Sequence, residues 1–313
     1  MAIRNSRKIG IPMVNLRLGG GAPVDERFII SVKTDNTGTS NNDQFTLPFK
    51  GTYDVDWGDG NTDTGQFNQV THTYATAGTY DIKVTHISGE CRMLFNGGGD
   101  RQKLLEIKNW GVLPWTNFLG AFNGCQVMDI TATDIPDLSS VLRIDNIFRN
   151  CRAMVGNSTF ANWDVSNINN FASSFRGCFL FNQNISSWDV STSTRFDNTF
   201  FDAKVFNQPI GSWNTGNVTN LSNMFRNNLF SFDQSLAGWN ITSLTNGSSM
   251  FLVSGISTAN YDATLIGWAA QSITNAVNIN FGNSQYTLGG AAEAARNTLV
   301  STYGWTIVDG GGI

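Results

Sequence analysis

Phe148-Arg149-Asn150-Cys151, Phe175-Arg176-Gly177-Cys178, Phe200-Phe201-Asp202-Ala203 and Phe225-Arg226-Asn227-Asn228 are successive turns of one pattern, which decides how the rest of the chain is read. The pattern extends back to Phe122-Asn123-Gly124-Cys125 and forward to Phe251-Leu252-Val253-Ser254, so that its leading Phe keeps an almost constant step throughout. Trp163, Trp188, Trp213 and Trp239 keep the same beat, with Trp268 after a longer step. A third column is formed by Phe181-Asn182-Gln183, Phe206-Asn207-Gln208 and Phe232-Asp233-Gln234. A fixed period of this length means stacked units, none of which buries its apolar face alone. The expected array is a short solenoid of units of about 25 residues, each giving a Phe, a small residue and a Trp to one continuous core.

Composition agrees. Charged residues make up 14% of the 313 residues, against about a quarter in an ordinary globular domain. Short polar residues that satisfy turns take their place. A net charge of −4 argues against nucleic acid as a partner. No apolar run is long enough to cross a membrane, and no signal peptide is expected at the N-terminus. Cys125, Cys151 and Cys178 share one repeat column, with none of the spacing of a zinc site. They read as small buried thiols, with a disulfide or metal role as the alternative.

Residues 1–24 form a basic arm and a glycine hinge: Arg4, Arg7, Lys8 and Arg17 stand without an acid before Gly19-Gly20-Gly21. The other residues carry 16 basic and 24 acidic side chains. The four basic residues are candidate anchors to a larger assembly; a tail without a role is the alternative. Residues 25–90 read as an antiparallel β-domain. Strands are expected at 28–32, 45–49, 53–57 and 79–84, with a turn at Gly58-Asp59-Gly60. Asp54, Asp56, Asp59 and Asp63 could hold calcium, but carboxylates that bond turn amides account for them better. His72 and His86 are the two histidines, and no motif gives either a catalytic partner.

Val55-Asp56-Trp57-Gly58-Asp59-Gly60, followed by His72-Thr73-Tyr74 and Ala77-Gly78-Thr79-Tyr80, resembles the signature of PKD-type domains. The resemblance is confined to the first β-domain. It implies an immunoglobulin-like β-sandwich that acts as a spacer or adhesion module, with His72 holding a strand end. Residues 91–270 resemble the BspA-like surface repeats, relatives of leucine-rich repeats, through Met224-Phe225, Phe206-Asn207-Gln208-Pro209-Ile210 with Trp213, and Asn217-Val218-Thr219-Asn220-Leu221. That resemblance implies surface or adhesion proteins without enzymatic activity. The first unit, Leu104 to Gly111, is degenerate; the Cys125 unit lacks the Phe-Asn-Gln motif, and Asn260-Tyr261-Asp262 replaces it in the last. The sequons at Asn157, Asn184, Asn217, Asn240 and Asn246 fall on the repeat and carry no separate meaning.

Residues 271–313 read as a mixed α/β cap over the open end of the array, with a helix over 290–302 and a last strand over 305–308; a short helix over 263–270 precedes it. The fold class expected is therefore mainly β: a PKD-type sandwich, a repeat solenoid and a cap. The acids Asp164, Asp189, Asp197, Asp202 and Asp233 are scattered, and the sequence has no nucleophile elbow, phosphate loop or metal motif. No enzyme, cofactor or metal is expected. Extracellular-type modules with no leader, behind a basic arm, point to a phage virion structural protein on the capsid or tail surface. It would be held to other virion proteins through the arm, with a host glycan or protein as a further partner and homo-oligomers allowed. The alternative is a bacterial cell-surface or secreted adhesin. The aligned loops of the array are where a binding face would lie.

Overall fold

In the computed structural model, residues 25–313 are described apart from 230 and 275. The first half is strand. Alternating burial along FKGTYDVD makes β3 (Phe49–Asp56), which pairs with β4 (Thr62–Phe67) and β6 (Thr79–Met93). β1 (Phe28–Lys33) lies between β6 and β7 (Leu104–Asn109), and β8 (Asp129–Ile130) closes the row. The six strands run β4-β3-β6-β1-β7-β8 and are antiparallel except at the parallel β7–β8 edge. β2 (Gln44–Leu47) pairs separately with β5 (Val70–Thr73).

Two expectations change here. The strand expected over 45–49 is split at Pro48, between β2 and β3, because proline offers no N–H to a ladder. The boundary expected at residue 90 falls inside β6, and β7, expected as a first repeat unit, is a strand of the six-stranded sheet. One hydrophobic core runs from Phe28 to Trp305.

The Gly58-Asp59-Gly60 turn holds two left-handed glycines in different surroundings. A Cβ on Gly58 (φ +81°) would lie 2.5 Å from the Asp81 carbonyl oxygen, whereas one on Gly60 (φ +93°) would meet open space. Gly60→Ala should cost about 1–2 kcal/mol, the penalty for a left-handed non-glycine residue. Gly58→Ala should cost clearly more, since the β3–β6 backbones must also part. Urea unfolding of the two variants checks the order.

Beyond β8 the repeat units are built mainly of turns joined by single bridges, such as Arg143–Asn170–Arg195–Asn220–Asn246. Each unit carries two left-handed residues four apart: Gly120 and Gly124, Asn146 and Asn150, Ser173 and Gly177, Asn198 and Asp202, Asn223 and Asn227, Ser249 and Val253. Glycine and asparagine tolerate that backbone best, which accounts for the asparagines at 146, 150, 198, 223 and 227. The N–H groups of Asn146, Phe148 and Asn150 donate to the carbonyls of Ala172, Ser174 and Arg176 in the next unit. Those of Ser173, Phe175 and Gly177 continue to Asp197, Thr199 and Phe201. Intervening amides close four-residue turns, as Arg149 N–H does on the Asn146 carbonyl. The backbone of these turns thus finds its partners without an extended strand.

Side chains stack on this ladder. Phe122, Phe148, Phe175, Phe200, Phe225, Phe251 and Phe281 follow one another at ring separations of 5.0 to 5.9 Å. The indole N–H groups of Trp188, Trp213, Trp239, Trp268 and Trp305 donate to carbonyls one unit back: Phe160, Ile185, Ile210, Leu236 and Thr274. At the C-terminal end stand α1 (Thr258–Ala269), α2 (Ala291–Ser301) and the parallel pair β9 (Asn278–Asn280) and β10 (Thr306–Val308). α1 starts five residues before the helix expected at 263. The Gly247 and Phe251 amides donate to β9, so the ladder continues into this end piece.

Candidate functional site

The acids singled out in the first domain are each occupied by the fold. Asp54 accepts from Gly65 N–H, Asp56 from Gly58 N–H, and Asp63 from the Trp57 indole at 2.8 Å. Asp59 accepts from Asn61 and lies 2.9 Å from His72 Nε2. Burial pushes the Asp59 carboxyl up, but the bonds from His72 and Asn61 outweigh it and hold it below the usual carboxylate range. The His72 ring stacks on Trp57 at 4.7 Å, so this histidine ties β5 to the turn after β3. His86 lines a cavity of about 610 Å³ with Asp25, Arg27 and Leu113, and its Nε2 has no hydrogen-bond partner among the described residues. Among the described residues no group of His, Cys, Asp and Glu is arranged to hold a metal.

The cysteine column is buried and reduced. Cys151 Sγ donates to the Phe122 carbonyl and Cys178 Sγ to that of Phe148. Burial raises all four thiol pKa values, that of Cys91 to about 12. A thiolate is the reactive form. The native protein should therefore show no thiols to a disulfide reagent at pH 8, and all four after unfolding. Fast reaction of the folded chain would contradict this packing.

Along the array the repeat exposes chemically distinct edges. Asp137, Asp164 and Asp189 form one: each carboxylate accepts the N–H two residues on, at Ser139, Ser166 and Ser191. Asn182, Asn207 and Asp233 form another. The Asn182 side chain accepts from Asn207 N–H and Gln208 Nε2, that of Asn207 from Asp233 N–H and Gln234 Nε2, and that of Asp233 from Ser257 N–H and Asn260 Nδ2. The substituted Asn260 motif thus carries the ladder on. Asp197 holds Arg195 at 2.8 Å, and Asp202 pairs with Lys204. The scattered acids have separate structural duties and do not converge.

A further edge is basic, and sequence reasoning did not single it out. Arg149, Arg176, Phe201 and Arg226 each follow the column Phe, and their carbonyls are bonded by the preceding unit, which holds them in register. Phe201 lies between two guanidiniums, that of Arg176 at 4.3 Å and that of Arg226 at 5.6 Å. Three positions on from Arg149, Arg152 covers the ring of Phe179 at 5.3 Å. Arg143 and Arg195 are paired with Asp145 and Asp197, but Arg149, Arg152, Arg176 and Arg226 have no carboxylate within ion-pair distance among the described residues. Burial and the neighbouring Arg149 lower the Arg176 pKa, against the opposing charge of Asp202. The signal was present as Phe-Arg in three repeats. Arg4, Arg7, Lys8 and Arg17, the candidate anchor, lie outside the described residues.

No curated protein and no solved structure shows significant similarity to the chain. A family described as Mycoplasma protein of unknown function, DUF285, matches residues 142–268. Its repeats are of the BspA-like, leucine-rich-repeat-related surface type, so the matched stretch of this chain is similar to a surface repeat array.

Proposed function

We propose that this chain is a non-enzymatic surface-displayed adhesin, bacterial or secreted, in which a PKD-type β-sandwich and a BspA-like solenoid with a mixed cap hold a binding edge away from their attachment point. One observation carries the reading. The interior of the array is repeated almost unchanged, whereas its outer positions differ in charge and shape from edge to edge. A scaffold with a fixed core and free outer positions suits recognition along its length. The match to the surface-repeat family supports the same reading.

A virion surface protein is the second reading, favoured by the basic arm at the N-terminus. There Arg4, Arg7, Lys8 and Arg17 would dock the chain on other virion proteins. Quantitative mass spectrometry of the envelope fraction and of density-purified particles from producing cells separates the two. Enrichment in the envelope alone supports the adhesin. Many copies per particle, abolished by deletion of residues 1–18, would replace it with the virion protein. Release into the medium supports the secreted form, and presence in neither fraction nor the medium would remove both readings.

A further inference from the structure

We propose that the edge formed by Arg149, Arg152, Arg176, Phe179, Phe201 and Arg226 binds a linear acidic polysaccharide, with sugar carboxylates seated on successive guanidiniums. The inference rests on the reading of the chain as a binding protein and names the ligand class of one edge.

The side chains are placed by the backbone ladder, so their spacing is the spacing of the repeat. Each side chain's own carbonyl is hydrogen-bonded to the unit before it: Arg149 O by Gly124, Arg176 O by Asn150, Phe201 O by Gly177 and Arg226 O by Asp202. The guanidiniums are also oriented. Arg149 Nη1 donates to Asn146 Oδ1 at 3.4 Å, and Arg226 Nη1 donates to the equivalent Asn223 Oδ1 at 3.2 Å. Arg176 and Arg226 rest on Phe201, and Arg152 rests on Phe179. A guanidinium whose carbon lies over a ring keeps N–H groups free to bond outward. Ordering the side chains in advance lowers the entropy lost on binding.

The acid on this edge, Asp202, is felt by Arg176 but is bonded elsewhere. Lys204 and Asp202 pair with each other, and Asn227 Nδ2 takes a further bond to Asp202. The four arginines are left without a carboxylate in ion-pair reach, and the Nε of Arg149 is buried with no acceptor among the described residues. Like charges stacked at this spacing repel, and an anionic chain laid along them relieves it. A carboxylate suits the planar fork, which can hold it with two parallel N–H bonds.

Two features favour a polysaccharide over a nucleic acid. Single-stranded nucleic acid is held largely by bases stacked on exposed aromatic faces, and here guanidiniums cover Phe179 and Phe201. A duplex is wide and would reach past one narrow row, on a chain whose residues after the arm carry more acids than bases.

The test is calorimetric titration of the full chain with polygalacturonate, with dextran as the neutral control and oligothymidylate as the competing polyanion. Arg4, Arg7, Lys8 and Arg17 are changed to Ser in every protein, so that the arm contributes nothing. Polygalacturonate should bind, more weakly as salt rises, and dextran should not. Arg226→Ser should weaken binding about tenfold, and Arg149→Ser/Arg176→Ser/Arg226→Ser about a hundredfold or more. The matching Lys variants should fall between, since they keep charge and lose the fork. No binding of polygalacturonate overturns the proposal, as does tighter binding of oligothymidylate. If the triple variant does not melt cooperatively, Arg226→Ser decides, and unchanged affinity there overturns the proposal. None of these results depends on where the protein is found, so failure of the adhesin reading in the fractionation experiment is separate.

Discussion

Trp213→Ala should lower the unfolding free energy by about 3–5 kcal/mol, the range for deleting a large buried aromatic. The indole is 2% exposed. It stacks on Phe196 at 5.5 Å, and its N–H is bonded to the Ile185 carbonyl at 3.1 Å. Truncation removes the transfer free energy of the ring, leaves a cavity between units and takes away one of the two hydrogen bonds that the Ile185 carbonyl accepts, the other coming from Trp188 N–H. The neighbouring units cannot collapse into the gap, because their separation is set by the ladder from Phe200 N–H to Met224 O and its equivalents. Trp213→Phe isolates the hydrogen bond: it keeps most of the ring and should lose about 0.5–1.5 kcal/mol, the net worth of one hydrogen bond, since Trp188 N–H still occupies the Ile185 carbonyl. Equilibrium urea unfolding of both variants, followed by circular dichroism, gives the values. A loss for Trp213→Ala no larger than that of an ordinary surface substitution, under about 0.5 kcal/mol, would mean that the Trp column does not hold the units together.

The period is legible because identical residues mark identical positions. Phe, Trp and Cys each occupy one column, and each column is buried. The helix expected over 290–302 is found at Ala291–Ser301, where alanines and Leu299 fall on one face between two glycines. α1 begins earlier than its sequence suggests because Thr258-Ala259-Asn260 has no apolar periodicity; Asn260 also serves the polar ladder from Asp233. β4 leaves no sequence signal because TDTGQF, an edge strand with no buried residue, lacks the alternation that marks a half-buried strand. The unit backbone is illegible for a different reason. Left-handed residues at Asn146 and Asn150 turn the chain so that amides alternate between the next unit and a local turn, a pattern with neither helical nor strand periodicity. The basic edge is hidden by distance along the chain. Arg149 and Arg226 are three units apart in sequence, and they share an edge only once the units stack.

Asp100→Ala should cost about 3–5 kcal/mol, the penalty for breaking a buried ionic cluster from one side. Asp100 is 1% exposed and Lys103 is fully buried. The carboxylate accepts from the N–H groups of Thr39, Ser40 and Thr46 and from the Ser40 hydroxyl. Lys103 Nζ donates to the carbonyls of Ser40, Asn41 and Gln44. Together they hold the loop between β1 and β2 against the turn before β7. Burial alone would push the Asp100 carboxyl up; the bonds from Ser40 and Thr46 and the charge of Lys103 outweigh it, so the carboxyl lies below its ordinary value. The sign of the pH effect follows. A depressed folded-state pKa contributes stability that is complete above the unfolded pKa of about 3.9 and is lost as pH falls through the folded value. Stability should therefore decline more steeply below pH 4 in the native chain than in Asp100→Asn, which keeps the shape but cannot be protonated. Asp100→Asn should itself be destabilised at pH 7, because its amide N–H groups face donors at Ser40 and Thr46. Adding Lys103→Met to Asp100→Asn should cost less than the sum of the two single losses, since both groups hold the same Ser40 loop. Additive losses from the two changes would show that the groups do not act as a pair.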